Sequence, residues 1–228
     1  MHAYKEKHHI VIMQMEDESV LYSCHHLKIE EEMEVTYLSV GLDGVVDVEK
    51  LKSSIRPDTG LVSNSAANDE ICVIQLIEEI GAICKEFENV GIMSLCGDLV
   101  YGPKGIMALY PQSQGKVVRI QMQMSGRGEE NAIHGGLLPI PLVVGMGTAC
   151  KLAKQEMDSN EERIMALRQR LLNRILTKLE HVTVHGSSTS CIAGILNVSL
   201  VAADGDLVLF QTPQFTLFTS MAGKLRML

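Results

Sequence analysis

Two groups of residues have the types that chemistry requires. The first lies in Met93-Ser94-Leu95-Cys96-Gly97-Asp98-Leu99-Val100-Tyr101-Gly102-Pro103-Lys104-Gly105-Ile106. This stretch displays one amine, Lys104, and one thiol, Cys96. An amine can form an imine with a carbonyl compound, and a thiolate can act as a nucleophile. Cys96 has no base nearby, and a carboxylate at Asp98 raises a thiol pKa instead of lowering it. The plainer readings are a surface lysine and an inert cysteine. The second group is His8-His9 with Cys24-His25-His26, which are metal-ligand types. Adjacent histidines on a strand point to opposite faces. No Cys-x-x-Cys or His-x-x-x-His partner accompanies either pair, so no metal is expected. The acidic run Glu30 to Glu34 reads as a solvated turn.

The elements that must position these residues follow from pattern. Gly91 to Leu95 and Ile106 to Tyr110 are apolar runs joined by a Gly-Pro-Lys-Gly turn, a β-loop-β segment in which Pro presets φ and Gly accepts positive φ. Upstream, His9 to Met15 reads as a buried strand. Asp17-Glu18-Ser19 offers an N-cap before Val20, Leu21, Cys24 and Leu27, spaced for one helix face. Val35 to Val40 is a β-branched strand, Gly41 to Gly44 a turn, Val46 to Ile55 a short helix ending before Pro57, and Leu61 to Ser63 another strand. Ile74 to Phe87 reads as a helix. Alternating strands and helices predict parallel βαβ units.

Downstream, Lys116 to Met124 alternates like a half-exposed strand, and Ser125 to Leu138 is glycine-rich and irregular. Leu142 to Met157 is a helix. Ser159-Asn160-Glu161-Glu162 resembles a capping box that opens a second helix, with Ile164, Leu167, Leu171, Ile175 and Leu179 as its core-facing stripe. Val182 to Val184 and Ile195 to Val201 are strands. The tail from Phe210 to Leu228 is apolar without a clear period, and the part after Pro213 is not expected to pack.

Composition limits the function classes. The 228 residues are 46% hydrophobic and 21% charged, ordinary for an α/β chain. Aromatics are 4% with no Trp, so the core must rest on aliphatic residues and on 13 Met. A net charge of −8 with no basic patch argues against nucleic acid. Six cysteines without paired spacing suggest reduced thiols. No apolar run reaches the roughly 18 residues of a membrane helix. The start of the chain has neither a signal-peptide core nor a transit-peptide composition, which makes the cytosol the default from sequence.

The central stretch also resembles the cofactor-lysine segment of the pyridoxal-phosphate (PLP)-dependent cysteine desulfurases, a branch of the class V aminotransferases, which reads Met-Ser-x-Ser-Gly-His-Lys-x-Tyr-Gly-Pro-Lys-Gly. Further blocks resemble the family in order: Lys7-His8-His9-Ile10, Val20-Leu21-Tyr22-Ser23-Cys24, Glu34-Val35-Thr36-Tyr37-Leu38, Arg56-Pro57-Asp58-Thr59, Glu79-Ile80-Gly81-Ala82-Ile83-Cys84, Pro139 to Gly147, and Ile195-Leu196-Asn197-Val198-Ser199. The likeness is to the mitochondrial-type enzyme. It implies a partial type I PLP-transferase fold, with a mostly parallel sheet flanked by helices and an incomplete small domain. Residues 1–150 would be the large-domain remnant, with an internal deletion around 85–90. Residues 151–228 would be a connecting helix and a truncated small domain.

The family's chemistry needs specific parts, and the resemblance implies that they are lost. The imine lysine falls on Leu99 and the histidine before it on Asp98. The ring-stacking histidine falls on Asp17. Family Asn-Asn-Glu reads Asn68-Asp69-Glu70, so Asn68 is a remnant and Asp69 a loss. A phosphate-binding serine falls on Cys96, a phosphate-binding threonine on Leu137, and the nucleophilic cysteine on Gly223. The strand carrying the ring aspartate is skipped between Cys84 and Gly91. Asp17, Asp69 and Asp98 would set carboxylates against a dianionic cofactor, and like charges about 4 Å apart repel by about 4 kcal/mol at an effective dielectric near 20. The expectation is a cysteine desulfurase-like protein of iron–sulfur assembly that neither binds PLP nor desulfurates cysteine. The alternatives are an active desulfurase using non-standard residues, with Lys104 replacing the lost lysine, and a poorly folded product without function. The resemblance further implies a homodimer or a heterodimer with a family member, iron–sulfur scaffold proteins as partners, and a mitochondrial location.

Overall fold

The computed structural model describes residues 7–87, 91–112, 137–200, 217–220 and 224–227. They fall into two compact units, one within Cys84–Asp158 and the other within Glu6–Ile83 and Ser159–Leu228.

The larger unit is built on β1 (His9–Met13), buried at all five positions. Parallel strands flank it on both sides, β2 (Glu34–Leu38) and β3 (Thr59–Ser63), giving the order β2-β1-β3. A strand paired on both edges and covered on both faces explains the unbroken apolar run His9-Ile10-Val11-Ile12-Met13. Helix α1 (Glu18–Glu30) covers one face: Ile10 and Ile12 pack with Cys24, and Val20, Leu21 and Leu27 close around them. Alternate residues of a strand share a face, so Val11 and Met13 are buried on the other side of the sheet. The expected N-cap holds: Asp17 accepts from the Ser19 N–H at 2.9 Å. The helix runs through Glu30, the first residue of the acidic run. That run is also not all solvated turn, because Glu34 opens β2 and pairs with Arg56 at 2.6 Å.

Helix α2 (Val48–Ser54) is capped by Asp47, which accepts from the Glu49 and Lys50 N–H groups. Ile74 does not begin a helix. Val73–Ile74 forms β5, antiparallel to β4 (Ala67–Asn68), and α3 runs Ile77–Glu86. The cause is non-local. The Ile74 N–H donates to Ser190 O and Gln75 N–H to Ala66 O, while the buried Gln75 amide donates to Gly44 O and accepts from Val46 N–H. Strands β8 (Val182–Val184) and β9 (Leu196–Leu200) lie at the expected places. The tail expectation fails: β10 (Leu217–Ser220) and β11 (Lys224–Met227) join them in an antiparallel sheet of order β10-β11-β9-β8.

The smaller unit holds β6 (Gly91–Cys96), a single 3₁₀ turn (Gly97–Val100) and β7 (Met107–Gln112), paired antiparallel as the central stretch predicts. Only residues 87–90 separate α3 from β6. The capping-box expectation is overturned. Helix α4 is continuous from Ile140 to Lys178, 39 residues. No Gly or Pro occurs near Ser159, and the propensity cost of Ser and Asn is only some tenths of a kcal/mol each, too little to stop a helix. Asn160 accepts from Arg163 along the helix instead of capping it. The stripe beyond it is half-buried at Ile164, Leu171 and Ile175, while Leu167 and Leu179 are exposed. Lys116 to Met124 lies outside the described residues.

Among the described residues, no helix is long and apolar enough to cross a membrane. None of the six cysteines forms a disulfide, and Cys24, Cys72 and Cys191 are buried.

Candidate functional site

In an open α/β sheet ligands bind beyond the carboxyl ends of the strands, where the strand order reverses. Here that point is the end of β1, since the chain leaves β1 for β2 on one side and returns to β3 on the other. The turn after β1 presents Glu16 and Asp17. Glu16 is buried, and its carboxylate accepts from Ser63 Oγ at 2.7 Å and Ser65 Oγ at 2.6 Å, both just beyond the core of β3. Asn68 donates to Met15 O at 3.0 Å and accepts from the Glu70 and Ile71 N–H groups, so the remnant asparagine ties β4 to this turn. Asp69 is exposed.

Asp17 occupies the N-terminus of α1. The Ser19 hydroxyl and N–H hold its carboxyl below the usual carboxylate range. A helix N-terminus at this end of a sheet is a ready seat for phosphate, and here the chain fills it with its own carboxylate. Burial, with the Glu16 carboxylate adding to it, pushes the Cys24 thiol up, so Cys24 is a core thiol and no nucleophile.

The smaller unit carries the other candidates. Gly97 N–H donates to Ile106 O at 2.9 Å, and Gly102 N–H donates to Gly97 O at 2.8 Å. These two bonds draw the backbone of the loop onto itself. A Cβ on Gly102 would lie 2.7 Å from Gly97 O, which leaves glycine as the fitting residue. Tyr101 closes the 3₁₀ turn in the left-handed region at φ 58°. Leu99 stands on that turn as an apolar side chain 74% exposed. Asp98 and Lys104 are exposed and Cys96 is half-buried. Leu137, just before α4, is 87% exposed. Gly223 lies outside the described residues.

His9 does not share a metal cluster with His8. It is buried against two threonines, while His8 is exposed. The Glu16–Ser63–Ser65 clamp and the Gln75 clamp have no local signal, because their partners lie dozens of residues away.

Comparison with known proteins shows what the chain is similar to. A family model described as Aminotransferase class-V matches residues 1–97. The mitochondrial cysteine desulfurase of Arabidopsis thaliana is 42% identical over 92% of this chain and 51% of its own length. The human cysteine desulfurase is 35% identical over 95% of this chain and 51% of its own. The chain is similar to the class-V aminotransferase family over residues 1–97. Its similarity within that family is to the cysteine desulfurases, and it spans about half the length of the curated relatives it matches. A solved NifS-like protein, 23% identical, superposes with a TM-score of 0.88 over 98% of this chain and 70% of its own, which establishes that the two share an α/β fold. Another structural neighbour, 15% identical with a TM-score of 0.73 over 97% of this chain and 69% of its own, has glycine covalently linked to its PLP cofactor.

Proposed function

We propose that the chain is a cysteine desulfurase-like member of the iron–sulfur assembly family that does not perform the PLP chemistry itself, a pseudoenzyme. The observation that carries this reading is Leu99. It occupies the position that the family segment gives to the imine lysine, and a leucine has no amine to offer. Two further features support it. Asp17 fills the N-terminus of α1 with a negative charge beside the buried Glu16, and four residues join α3 to β6 where the family carries its ring aspartate strand. The exposed Lys104 is the one amine of the loop. A dimer with itself or a family member, contact with iron–sulfur scaffold proteins and a mitochondrial location belong to the same proposal, as does the division into a large-domain remnant over 1–150 and a connecting helix with small-domain residues over 151–228.

The test is a PLP titration of the purified chain, read by absorbance, with borohydride reduction and peptide mapping. The expected result is free-aldehyde absorbance, no reduced lysine peptide and no sulfide released from L-cysteine. An imine band with Lys104 fixed by reduction overturns the reading and identifies the replacement lysine.

A further inference from the structure

His9 begins β1, the middle strand, and its side chain is fully shielded from solvent. The ring spans all three strands. Nε2 lies 2.8 Å from Thr36 Oγ1 on β2, and Nδ1 lies 2.7 Å from Thr59 Oγ1 on β3. The register of β1 on β3 slips at this point: His9 pairs with Thr59 and Ile10 with Leu61, leaving Gly60 as an extra residue. Bulges are rare in parallel pairs and serve to re-aim a side chain. This one sets Thr59, itself buried, onto the imidazole.

Each ring nitrogen faces a threonine hydroxyl. Thr59 Oγ1 also accepts from the Arg56 N–H at 2.8 Å, which leaves it one lone pair and its own proton for Nδ1. A neutral imidazole has one donor and one acceptor nitrogen. One threonine hydroxyl therefore donates to the ring while the other accepts from it. Protonation makes both nitrogens donors, so the hydroxyl that donated to the ring loses its acceptor inside a dry site, a costly state for a buried polar group. Three charged groups bear on the ring: Arg56 and Asp58 before β3, and Glu34 opening β2. The two carboxylates favour the charged ring, but both are engaged by the Arg56 guanidinium, at 2.7 Å for Asp58 and 2.6 Å for Glu34. Burial first, and Arg56 second, hold His9 below the usual imidazole range.

We propose that His9 is a proton-sensitive latch, clamping the N-terminal ends of β1 and β3 to the middle of β2 when neutral and releasing them when protonated. A folded-state pKa below the unfolded value of 6.5 means that the latch's contribution is complete above pH 6.5. It is lost as pH falls through the folded value. The inference concerns the sheet alone and stands apart from the PLP reading.

The test uses the full chain labelled with ¹⁵N. Long-range imidazole spectra follow the ring nitrogens between pH 8 and 5, and hydrogen exchange follows the Ile10 to Met13 amides over the same range. His9 is expected as a single tautomer, still neutral below pH 6.5, with the protection factors of β1 falling as the ring protonates. In His9→Gln, uncharged at every pH, that fall disappears. A ring that titrates at or above 6.5 overturns the proposal, as does an equal fall in His9→Gln. Should His9→Gln not fold, the wild type decides alone: ring protonation and loss of β1 protection must coincide in pH, and a separation of the two midpoints sinks the latch.

Discussion

Strands β1 and β6 are written in nearly the same alphabet, His-Ile-Val-Ile-Met against Gly-Ile-Met-Ser-Leu-Cys. Their surroundings differ. Every residue of β1 is buried, whereas Ile92 and Met93 of β6 are 47% and 58% exposed, and Leu109 and Tyr110 across the hairpin are exposed with them. β1 has a parallel neighbour on each edge and a helix on one face; among the described residues β6 pairs with β7 alone. An apolar run therefore states what a strand is suited to, and the number of neighbours decides what it obtains. Full burial of one aliphatic side chain contributes about 1.5–3 kcal/mol. The same residues in β6 collect only a fraction of that, and they leave apolar surface on both faces of a two-stranded ribbon, an arrangement marginal on its own.

The sharpest way to break this comparison is a matched pair of truncations. Ile12→Ala removes a fully buried side chain from the Ile10–Cys24 cluster and should cost about 2–5 kcal/mol. Ile92→Ala, at a half-exposed site, should stay within about 0.5 kcal/mol. Urea unfolding midpoints measure both, and equal costs would mean that β6 is as well packed as β1. Next in size is Gly102→Ala. The added methyl meets the Gly97 carbonyl, a backbone atom that cannot swing aside, and overpacking of this kind costs about 1–3 kcal/mol. The loss should be local: faster amide exchange for Met93 to Leu95 and Ala108 to Tyr110, with β1 unchanged. Unchanged exchange in the hairpin would mean that the loop's backbone contacts do not hold β6 on β7.

The two regions also differ in how far they could be read from sequence. Around β1 the signals are local and agree: an apolar run, then Asp17-x-Ser19, then apolar residues at helical spacing, and the structure has each in place. The β6-loop-β7 segment was equally legible, since Gly102, Pro103 and Gly105 announce a turn whatever lies around it. What could not be read depends on distant partners. Ile74 joined a strand because Ser190 O accepts its N–H and Ala67 pairs with it, and Glu16 became a buried carboxylate because Ser63 and Ser65 arrive from the far end of β3. The His9 clamp needs Thr36 and Thr59, which the sequence separates by 27 and 50 positions. Ser159-Asn160-Glu161-Glu162 misled for the opposite reason. A capping box is a real local preference, but without Gly or Pro to turn the chain it is weaker than continuing α4.

The smallest effect tests the caps. Cys96, preceding the 3₁₀ turn of the smaller unit, makes no side-chain cap bond, while Asp17 caps α1 through Ser19. Removing the side chain should therefore matter in one region and not in the other: Asp17→Ala lowers the thermal midpoint modestly, and Cys96→Ala leaves it nearly unmoved. The pH dependence separates capping from generic helix propensity. The Asp17 carboxyl is held below its unfolded value by the Ser19 hydroxyl and N–H. Its contribution is thus fully present above the unfolded pKa and fades as pH falls through the folded one. The gap between wild type and Asp17→Ala should be wide at pH 7 and narrower near pH 2, where the carboxyl still accepts but carries no charge. Asp17→Asn, which keeps an acceptor without the charge, should retain most of the cap and show a much weaker pH dependence. A gap that stays constant with pH would make Asp17 a matter of propensity. It would also remove the argument that the chain holds a negative charge where its fold would otherwise seat a phosphate.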